Sequence, residues 1–552
     1  MKKLIIKIKK SFFFTSLVLL SVAFNSCNDN DEEPVDEVTD ELVITNDADA
    51  ANFVKSIFKT QNCGSGYSFL LETVSEATVS FEGPDTESGP LVSQFDIQPN
   101  NDYLYIWGKQ YAAVAEANAA IEKISSLEAG EGKILSEYGK NTALGGAYFV
   151  RGLAYFYLVQ LWGEIPLYLS TQDATNGSPV SVNEIYTQIE KDLKKAEELL
   201  PELTSYKTEP NKYAADAILS KVYLTWAQYS PEGDLPKPPA DNAKLANAVT
   251  YADKVINSGR YILLDNITDN WGRYKKNGQE HIYNISYVLG EDGPNDGGNH
   301  QAHCAFSYGF EADPSTQPPH IGPSSFDLYE KWDGGHAGNE LDQRREFSYT
   351  AHLAKPNSAK EFNLDHDSVY AFTPPKFLPY FGKGIDRSFY EGPLVGPTER
   401  DMDRIEIRYA EVLLIKAEAL IESNQNLSGA KALINQVRHR AYINAPDPTV
   451  YYVTTTSQDE LRDAVQQERF NEFVYEQKRF LDLTRWHRLV RTVQTVKDFT
   501  EYSASYASGS LLQKVQDHLK KRYTAVTNSG TKYYHFPIPE SALETNPNLK
   551  NK

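Results

Sequence analysis

The 552-residue sequence contains little cysteine, namely Cys27, Cys63 and Cys304. Their number and spacing exclude a disulfide-rich scaffold and the paired cysteines of a zinc site, although one disulfide between Cys63 and Cys304 stays open. Basic residues are also outnumbered, with 55 Lys and Arg against 75 Asp and Glu. Because nucleic acids and anionic membrane surfaces are bound by clustered Lys and Arg, the composition argues against both as the main partner.

The common catalytic motifs are missing as well, including G-x-S-x-G, the Walker loop, the Rossmann glycine pattern and H-E-x-x-H. His300, His303 and Cys304 lie close together but have no second pair of ligands, and Pro294 interrupts the one stretch that resembles a calcium loop. With 75 acidic residues, some carboxylate pair always fits a glycosidase, so acidity is no sign of one. We predict no metal and no cofactor, and these residues give no sign of a catalytic site.

The first 26 residues are predicted to be a lipoprotein signal peptide. Five lysines precede the apolar run FFFTSLVLLSVAF (12–24), which is too short to span a bilayer. Cys27 comes soon after this run and is predicted to be the lipid-modified first residue of the mature chain; ordinary cleavage with Cys27 as an incidental thiol is the alternative. Residues 27–46 are then a flexible tether, because eight acidic residues and no basic one occur up to Glu41.

Helical periodicity dominates residues 103–260 and 404–490, where apolar residues recur at steps of three and four. The predicted helices lie at 107–121, 147–161, 182–201, 211–229, 242–259, 404–423, 429–441 and 457–479. Successive helices of this length predict a mainly α fold with a scaffold of tetratricopeptide-like helical hairpins. Residues 261–403 are rich in Gly and Pro and predict a loop-rich insertion, which is where binding sites usually lie, within one domain over 47–552.

The stretch QERFNEFVYEQKRFLDLTRW (467–486) concentrates charges and aromatic residues. Glu468, Glu472 and Glu476 recur at every fourth residue, so on a helix they would share one face and repel each other. Three explanations are open: a catalytic acid pair, a metal site, or an ion-pair network with the arginines that follow, Arg479, Arg485 and Arg488. The i,i+3 spacing of Glu476 and Arg479, with apolar residues around them, favours a network that fixes a corner between helix and loop.

Five blocks in order resemble the SusD/RagB family of nutrient-binding outer-membrane lipoproteins. They are GGAYFVRGLAYFYLVQLWGEIPL (145–167), IRYAEVLLIKAEAL (407–420), INQVRHRA (434–441), the stretch 467–486 and FPIPESALETNPNL (536–549). Together with the lipoprotein signal and the acidic tether, they cover nearly the whole mature chain. Gln477 departs from the family, which has glycine at this position of its E-G-[KHQ]-R turn.

The resemblance implies a right-handed helical scaffold with an irregular ligand-binding subregion. It also implies a lipid-anchored protein on the extracellular face of the outer membrane, acting as the lid of a SusC-like TonB-dependent transporter. The expected function is to capture oligo- or polysaccharide and deliver it to that transporter, without catalysis. A peptide-binding RagB-like protein on the same scaffold is the alternative, and a surface glycoside hydrolase is the third possibility.

Sugars present an apolar C–H face flanked by hydroxyls, so their sites combine an aromatic platform with polar groups. The resemblance implies contacts from irregular loops, including the segment before the Trp107 helix and the central insertion. The predicted ligand-binding residues are the platforms Trp271, Tyr274, Tyr308 and Trp332 and the hydrogen-bonding partners Asn101, Arg273 and Asp333. Packing of each residue within its own loop is the alternative. Trp107, Trp162 and Trp486 are assigned to structure.

Overall fold

The computed structural model describes residues 44–62, 64–74, 88–230, 240–272, 275–286, 341–344, 349–350, 352–354, 369–371, 380–381, 383, 403–495, 510–529 and 534–551. Asn46–Lys552 form one unit. The predicted signal peptide and Cys27 lie outside the described residues, so the division into signal, tether and domain stays a prediction.

The first half of the scaffold is a series of helices that pack in chain order. They are α1 (Asp47–Gln61), α2 (Gly64–Thr73), α3 (Ser88–Ser93), α4 (Ile106–Ser126), α5 (Glu137–Trp162), α6 (Val182–Leu199), α7 (Lys212–Gln228) and α8 (Asn242–Asn257). Extensive contacts join α4 to α5, α5 to α6 and α7 to α8, which is the hairpin arrangement that the periodicity predicts. The prediction of a mainly α fold is confirmed.

Polar residues mark where these helices begin. The side chain of Ser181 accepts a hydrogen bond from the Glu184 backbone N–H, and the Glu184 side chain accepts one from the Ser181 backbone in return. Asn211 caps α7 and Asp241 caps α8 in the same way, through side-chain oxygens that accept from backbone N–H groups. Each cap satisfies donors that the first turn of a helix leaves free, so the boundaries follow from local sequence.

Helix α5 lies at the centre of the scaffold and is buried over most of its length. Gly152 lets α6 approach closely, because a Cβ added at this position would lie 3.0 Å from Leu193 Cγ. The two helices are also joined by a buried ion pair, in which Arg151 donates to Asp192 from Nε at 2.9 Å and from Nη2 at 2.6 Å. Close backbone approach and a bidentate pair therefore fix the α5–α6 hairpin.

The second half of the scaffold is also helical. Its helices are α9 (Tyr409–Glu422), α10 (Leu427–Ala441), α11 (Gln458–Phe473), α12 (Arg479–Arg485), α13 (Leu489–Thr495), α14 (Ser510–Ser529) and α15 (Glu540–Thr545). Helix α9 packs against α8, α10 and α11, so it connects the two halves. Within the part of the chain that the structure describes, no helix combines the length and the apolarity needed to cross a membrane.

The described part of the central insertion and its two ends form three short antiparallel strand pairs. The strands are β1 (His281–Ile285), β2 (Tyr349–Thr350), β3 (His352–Ala354), β4 (Val369–Ala371), β5 (Tyr380–Phe381) and β6 (Arg404–Arg408). β1 pairs with β6, β2 with β5 and β3 with β4. The pairing of β1 with β6 brings the beginning and the end of the insertion side by side at the scaffold.

The predicted helix over 404–423 is wrong in its first five residues. RIEIR alternates apolar and charged residues, and Ile405 pairs with Asn284 and Arg404 with Ile285 in the β1–β6 ladder. Tertiary pairing and period-two alternation therefore outweigh the continuation of the α9 pattern. The predicted helix over 457–479 is likewise too long, since α11 ends at Phe473.

Candidate functional site

The three regularly spaced glutamates of 467–486 lie in a buried cluster of ion pairs, here called the Arg408 cluster. Its members are Glu280, Asp342, Arg344, Lys383, Arg408, Arg438, Arg440, Glu468, Glu472 and Glu476. Five carboxylates face five cations, so the cluster is formally neutral. The cluster joins segments from two parts of the chain. Four of them belong to the insertion or its two ends, at 280, 342–344, 383 and 408. The others belong to α10, α11 and the turn after α11.

Arg408 is the centre of this cluster and uses all three guanidinium nitrogens. Its Nη1 donates to Glu280 and Glu472, each at 2.6 Å. Its Nε and Nη2 donate to the two carboxylate oxygens of Glu476 at 2.9 and 2.8 Å. The Arg408 side chain is 1% exposed. Such a bidentate, fully buried arrangement holds one insertion end rigidly on the scaffold.

The neighbouring pairs extend the connection. Arg344 donates to Glu468 at 2.7 Å and to Glu472 at 3.1 Å, and Arg440 also donates to Glu472. Lys383 donates to Glu476 at 2.7 Å. The insertion is thereby fastened to α11 and its following turn at several points far apart in the sequence.

The cluster changes the protonation of its acids. Burial by itself would raise the pKa of Glu472, but Arg440, Arg408 and Arg344 lower it well below its usual range. Burial opposes Arg408 and Lys383 in the same way at Glu476, whose pKa is also lowered. These glutamates therefore stay ionised and paired at neutral pH, which fits a structural role and does not fit a general acid.

The corner after α11 is a tight turn with unusual backbone geometry. Tyr475 and Gln477 have φ angles of 60° and 57°, a region that glycine adopts freely and other residues rarely do. The Gln477 backbone N–H donates to Glu72 Oε1 at 2.6 Å. The left-handed conformation is one that favours glycine, and this chain adopts it with a glutamine.

The predicted partners of the three glutamates were wrong, although the predicted corner is present. Glu476 pairs with Arg408 and Lys383, and not with Arg479, whose guanidinium lies over the ring of Phe470 at 4.7 Å. Arg485 pairs with Glu418 and Asp482, and Arg488 pairs with Asp463. Spacing along a helix could not reveal partners that lie between 30 and 128 residues earlier in the chain.

A buried acid at this corner behaves differently from the cluster. Glu72 lies on α2 and is 3% exposed. Burial raises the pKa of Glu72 to about 8, and the hydrogen bond from the Gln477 backbone and the charge of Lys383 offset this only in part. The carboxyl group of Glu72 is therefore held largely protonated at neutral pH.

Trp271, a predicted platform, lies beside the Arg408 cluster. Its half-buried ring has Lys383 Nζ at 5.1 Å and the Arg408 guanidinium carbon at 5.5 Å from the ring centroid. These are cation–π distances. The Trp271 ring therefore packs on the Arg408 cluster. A role for the rest of the ring surface in ligand binding stays a prediction.

A separate open cleft of about 730 Å³ lies between the segment before α4 and the C-terminal segment. Its lining residues are Pro99, Asn100, Asn101, Asp102, Leu104, Tyr105, Trp107, Gly108, Tyr111, Pro539, Glu540, Ser541, Ala542, Glu544 and Thr545. The volume is within the range of small-molecule sites. Tyr105 is 43% exposed and offers an aromatic surface, while the amide of Asn100 and the hydroxyl of Ser541 are exposed polar groups nearby.

Asn101, a predicted hydrogen-bonding partner, lines this cleft but is 7% exposed. Its Oδ1 accepts from the Tyr103 backbone N–H at 3.1 Å, and its Nδ2 donates to the Ser88 backbone carbonyl at 3.2 Å. Asn101 therefore caps the 3-10 turn Asp102–Tyr105 that presents Tyr105. Its direct contact with a ligand stays a prediction.

The opposite wall of the cleft is the C-terminal segment, which backbone bonds hold on the scaffold. The Phe536 N–H donates to the Leu161 carbonyl and the Glu540 N–H to the Pro99 carbonyl, each at 2.8 Å. Trp162 Nε1 donates to the Pro537 carbonyl at 3.0 Å. The wall is thus anchored to α5 and to the segment that carries Asn101. The proline-rich end was predicted to run extended along the body, but its part in a cleft was not foreseen.

The tryptophans assigned to structure are buried: Trp162 is 0%, Trp486 3% and Trp107 7% exposed. Trp107 packs edge-on against Trp162 at 5.2 Å and also borders the cleft. Gly108 borders it too, and a Cβ added there would meet no atom within 4 Å. Sequence reasoning missed Tyr105 and Gly108, although the polar run QPNND before an aromatic pair is a signal for such a turn.

The other predicted site residues are Arg273, Tyr274, Tyr308, Trp332 and Asp333, and they lie outside the described residues. The same is true of Cys27, Cys63 and Cys304. Trp271 and Asn101 are described, and the structure does not bring them into one site, because Trp271 is not among the residues that line the cleft. Within the described ranges, no group of three or more His, Cys, Asp or Glu could hold a metal ion.

Two family models match this chain. One, described as the SusD family, matches residues 373–552, and the other, described as "Starch-binding associating with outer membrane", matches residues 37–224. SusD-like protein P2 of Formosa agariphila is 28% identical over 497 residues, which are 86% of this chain and 90% of that relative. The chain is therefore similar to SusD-family proteins over both of its ends. The family resemblance predicted from the sequence is confirmed.

Solved structures show the same SusD fold. A SusD homolog from Bacteroides thetaiotaomicron has a TM-score of 0.74 and 21% identity, covering 92% of this chain and 96% of that one. Another, solved with a xylogluco-oligosaccharide, has a TM-score of 0.65 and 20% identity, covering 90% of this chain and 98% of that one. At this level of identity the likeness establishes the SusD fold, and the ligand has to be argued from this chain.

Proposed function

We propose that this SusD-like chain is a cell-surface glycan-binding lipoprotein that captures oligo- or polysaccharide and delivers it to a SusC-like TonB-dependent outer-membrane transporter. The cleft beside Tyr105 carries the proposal. A half-exposed aromatic ring beside amides, hydroxyls and carboxylates provides both an apolar face and acceptors for sugar hydroxyls. The starch-binding description of one matching family model and the relative solved with a xylogluco-oligosaccharide support the same ligand class.

The ligand is tested by measuring binding to a panel of polysaccharides with two cleft variants. Tyr105→Ala removes the aromatic face, and we expect about a tenfold weaker affinity, which corresponds to about 1.4 kcal/mol. Gly108→Gln fills the cleft, and open space around this position lets the variant fold. Tyr138→Ala is the matched control, because Tyr138 is 66% exposed and does not line the cleft. Parental affinity in both cleft variants would remove this cleft from the proposal.

The insertion supplies the second part of the proposed ligand-binding surface. Trp271→Ala and Trp332→Ala test its predicted platforms, with Tyr274, Tyr308, Arg273 and Asp333 as the next substitutions. Each is expected to weaken binding of the same polysaccharide if the insertion contributes to one continuous site. Unchanged affinity in the Trp271 and Trp332 variants would refute those two assignments while leaving the cleft untouched.

Membrane attachment and partnership are separate parts of the proposal. We propose that Cys27 carries the lipid and that the acidic residues after it form the tether to the outer face of the outer membrane. Cys27→Ala should move the protein from the membrane fraction to the soluble fraction, whereas the exposed-site control Tyr138→Ala should stay with the membrane. Co-purification of the intact protein with its transporter from native membranes tests the partnership, and recovery of the protein alone at low salt and mild detergent would count against it.

Binding without catalysis is the last part of the proposal. The acids of 467–486 that first suggested a reactive centre are buried and paired with arginine, which supports a structural role for them. Analysis of a bound oligosaccharide after long incubation should return it uncleaved. New reducing ends that disappear with Tyr105→Ala would instead establish a hydrolase, and competition by extended peptides would favour the RagB-like alternative.

A further inference from the structure

The charged side chains that line the cleft all have the same sign. Asp102, Glu540 and Glu544 are exposed carboxylates, and the lining residues include no Lys, Arg or His. Asp102 uses one oxygen to accept a hydrogen bond from the Ser88 hydroxyl at 2.7 Å, which does not neutralise it. None of the three carboxylates forms an ion pair with a cation of the described chain. The cleft is therefore a negatively charged surface around an aromatic ring.

We infer that this cleft accepts uncharged sugar units and discriminates against uronate- and sulfate-bearing ones, an inference that rests on the proposed function. Sugar hydroxyls donate well to carboxylates, because a charged acceptor strengthens the hydrogen bond. An anionic sugar would need cations to neutralise it, and the other exposed polar groups of the lining, such as Asn100, Ser541 and Thr545, are uncharged. A second negative charge would therefore be repelled without compensation.

The size of this discrimination follows from Coulomb's law. For a ligand charge taken as about 8 Å from each of three carboxylates, in a medium as polar as water, Coulomb repulsion weakens binding by about tenfold at low ionic strength. At 0.15 M salt the Debye length is about 8 Å, so screening reduces the effect to about threefold. Salt dependence therefore distinguishes charge repulsion from a simple steric misfit, which salt would not relieve.

The test compares pairs of oligosaccharides that differ only in charge. The probes are maltohexaose and its C6-carboxylated form, a xyloglucan oligosaccharide and its C6-carboxylated form, and hexagalacturonate and its carboxyl-reduced form. Affinities for the full mature chain are measured by calorimetry at 20 mM and 150 mM salt. The acidic members carry several charges, so the single-charge figures are lower bounds. The neutral member of every binding pair should bind more tightly, by at least about tenfold at the lower salt concentration and by at least about threefold at the higher one.

Variants locate the effect. The double variant Glu540→Gln and Glu544→Gln should strengthen binding of the acidic members and reduce the salt dependence, while Glu131→Gln, on an exposed loop outside the cleft, should change neither. Acidic members that bind as tightly as their neutral partners, with binding blocked by Gly108→Gln, would overturn the charge inference and leave the proposed function standing. If no probe binds, or if Gly108→Gln has no effect on those that do, the cleft is not the site of glycan binding; the charge inference then falls, and the proposed function loses its cleft.

Discussion

Replacing Gln477 by glycine should stabilise this protein, which is the opposite of the usual effect of introducing glycine. Gln477 has a φ of 57°, so its Cβ is strained where glycine is not. Its Nε2 is buried and has no hydrogen-bond partner among the described residues. Both features are removed by Gln477→Gly, while the backbone N–H that donates to Glu72 is kept.

The magnitude is worked out from a pair of variants. Gln477→Ala removes the amide but keeps the Cβ, so the difference between Gln477→Gly and Gln477→Ala isolates the backbone strain. A left-handed conformation costs a residue with a Cβ about 1–2 kcal/mol, and glycine loses about 0.5–1 kcal/mol more chain entropy on folding. The glycine variant should therefore exceed the alanine variant in unfolding free energy by about 0.5–1 kcal/mol.

Equilibrium urea unfolding of the wild type and both variants, with midpoints compared at equal slope, measures this difference. Gln467, on the helical part of α11, provides the control, since glycine there should be less stable than alanine by about 1 kcal/mol. The reasoning is refuted if the glycine variant at 477 is less stable than the alanine variant, as it would be on any regular helix.

Three further predictions concern the scaffold. Glu472→Gln should lower the unfolding free energy by about 3–5 kcal/mol, because it leaves an uncompensated positive charge buried among Arg440, Arg408 and Arg344. The control is the exposed Glu198→Gln, which breaks only a pair with Lys195. It should change the unfolding free energy by less than about 1 kcal/mol in the same urea titration. Glu72→Gln should flatten the dependence of the unfolding free energy on pH. The pKa of Glu72 in the folded state is about 8, which is above its ordinary value of 4.5. Protonated Glu72 therefore contributes its full stabilisation below pH 4.5, and this contribution is lost as the pH rises through 8. Parallel stability profiles of wild type and Glu72→Gln between pH 4.5 and 9 would contradict that assignment. Gly152→Ala should destabilise the α5–α6 hairpin by about 1–3 kcal/mol, because the added Cβ lies 3.0 Å from Leu193, whereas Gly108→Ala meets open space and should be neutral or slightly stabilising; equal thermal shifts for the two variants would sink this packing argument.

The scaffold could be predicted because its signals are local. Apolar spacing located the long helices, and caps such as Ser181 and Asp241 are read from a few neighbouring residues. The boundary at 404 was predicted wrongly because the strand RIEIR exists only through its pairing with β1, which lies more than 100 residues earlier in the chain. Local periodicity carries no information about such a partner.

The candidate site was less predictable for the same reason. The i,i+4 spacing of Glu468, Glu472 and Glu476 indicated that compensating cations exist, but Arg344 and Lys383 come from the insertion and Arg408 from the strand that follows it. The cleft combines a turn near residue 100 with a segment near residue 540, and no pattern in either segment predicts that they meet. From the sequence, ligand platforms could be predicted only as aromatic residues within loops. Whether an aromatic ring such as that of Tyr105 is exposed in a cleft depends on how segments distant in sequence pack together.

The Arg408 cluster has a consequence for engineering. Because β1 pairs with β6 and the cluster holds both of their ends on the scaffold, the chain between them begins and ends at two fixed, adjacent points. A segment taken from another SusD-like protein could replace the chain between residues 285 and 404, provided that it carries counterparts of Arg344 and Lys383. These two cations pair with Glu468 and Glu476 of the scaffold. Exchange of loops without these two cations should give misfolded chimaeras, because the scaffold glutamates would be buried without their ion-pair partners. A successful graft therefore has to transfer the two cations together with the loops.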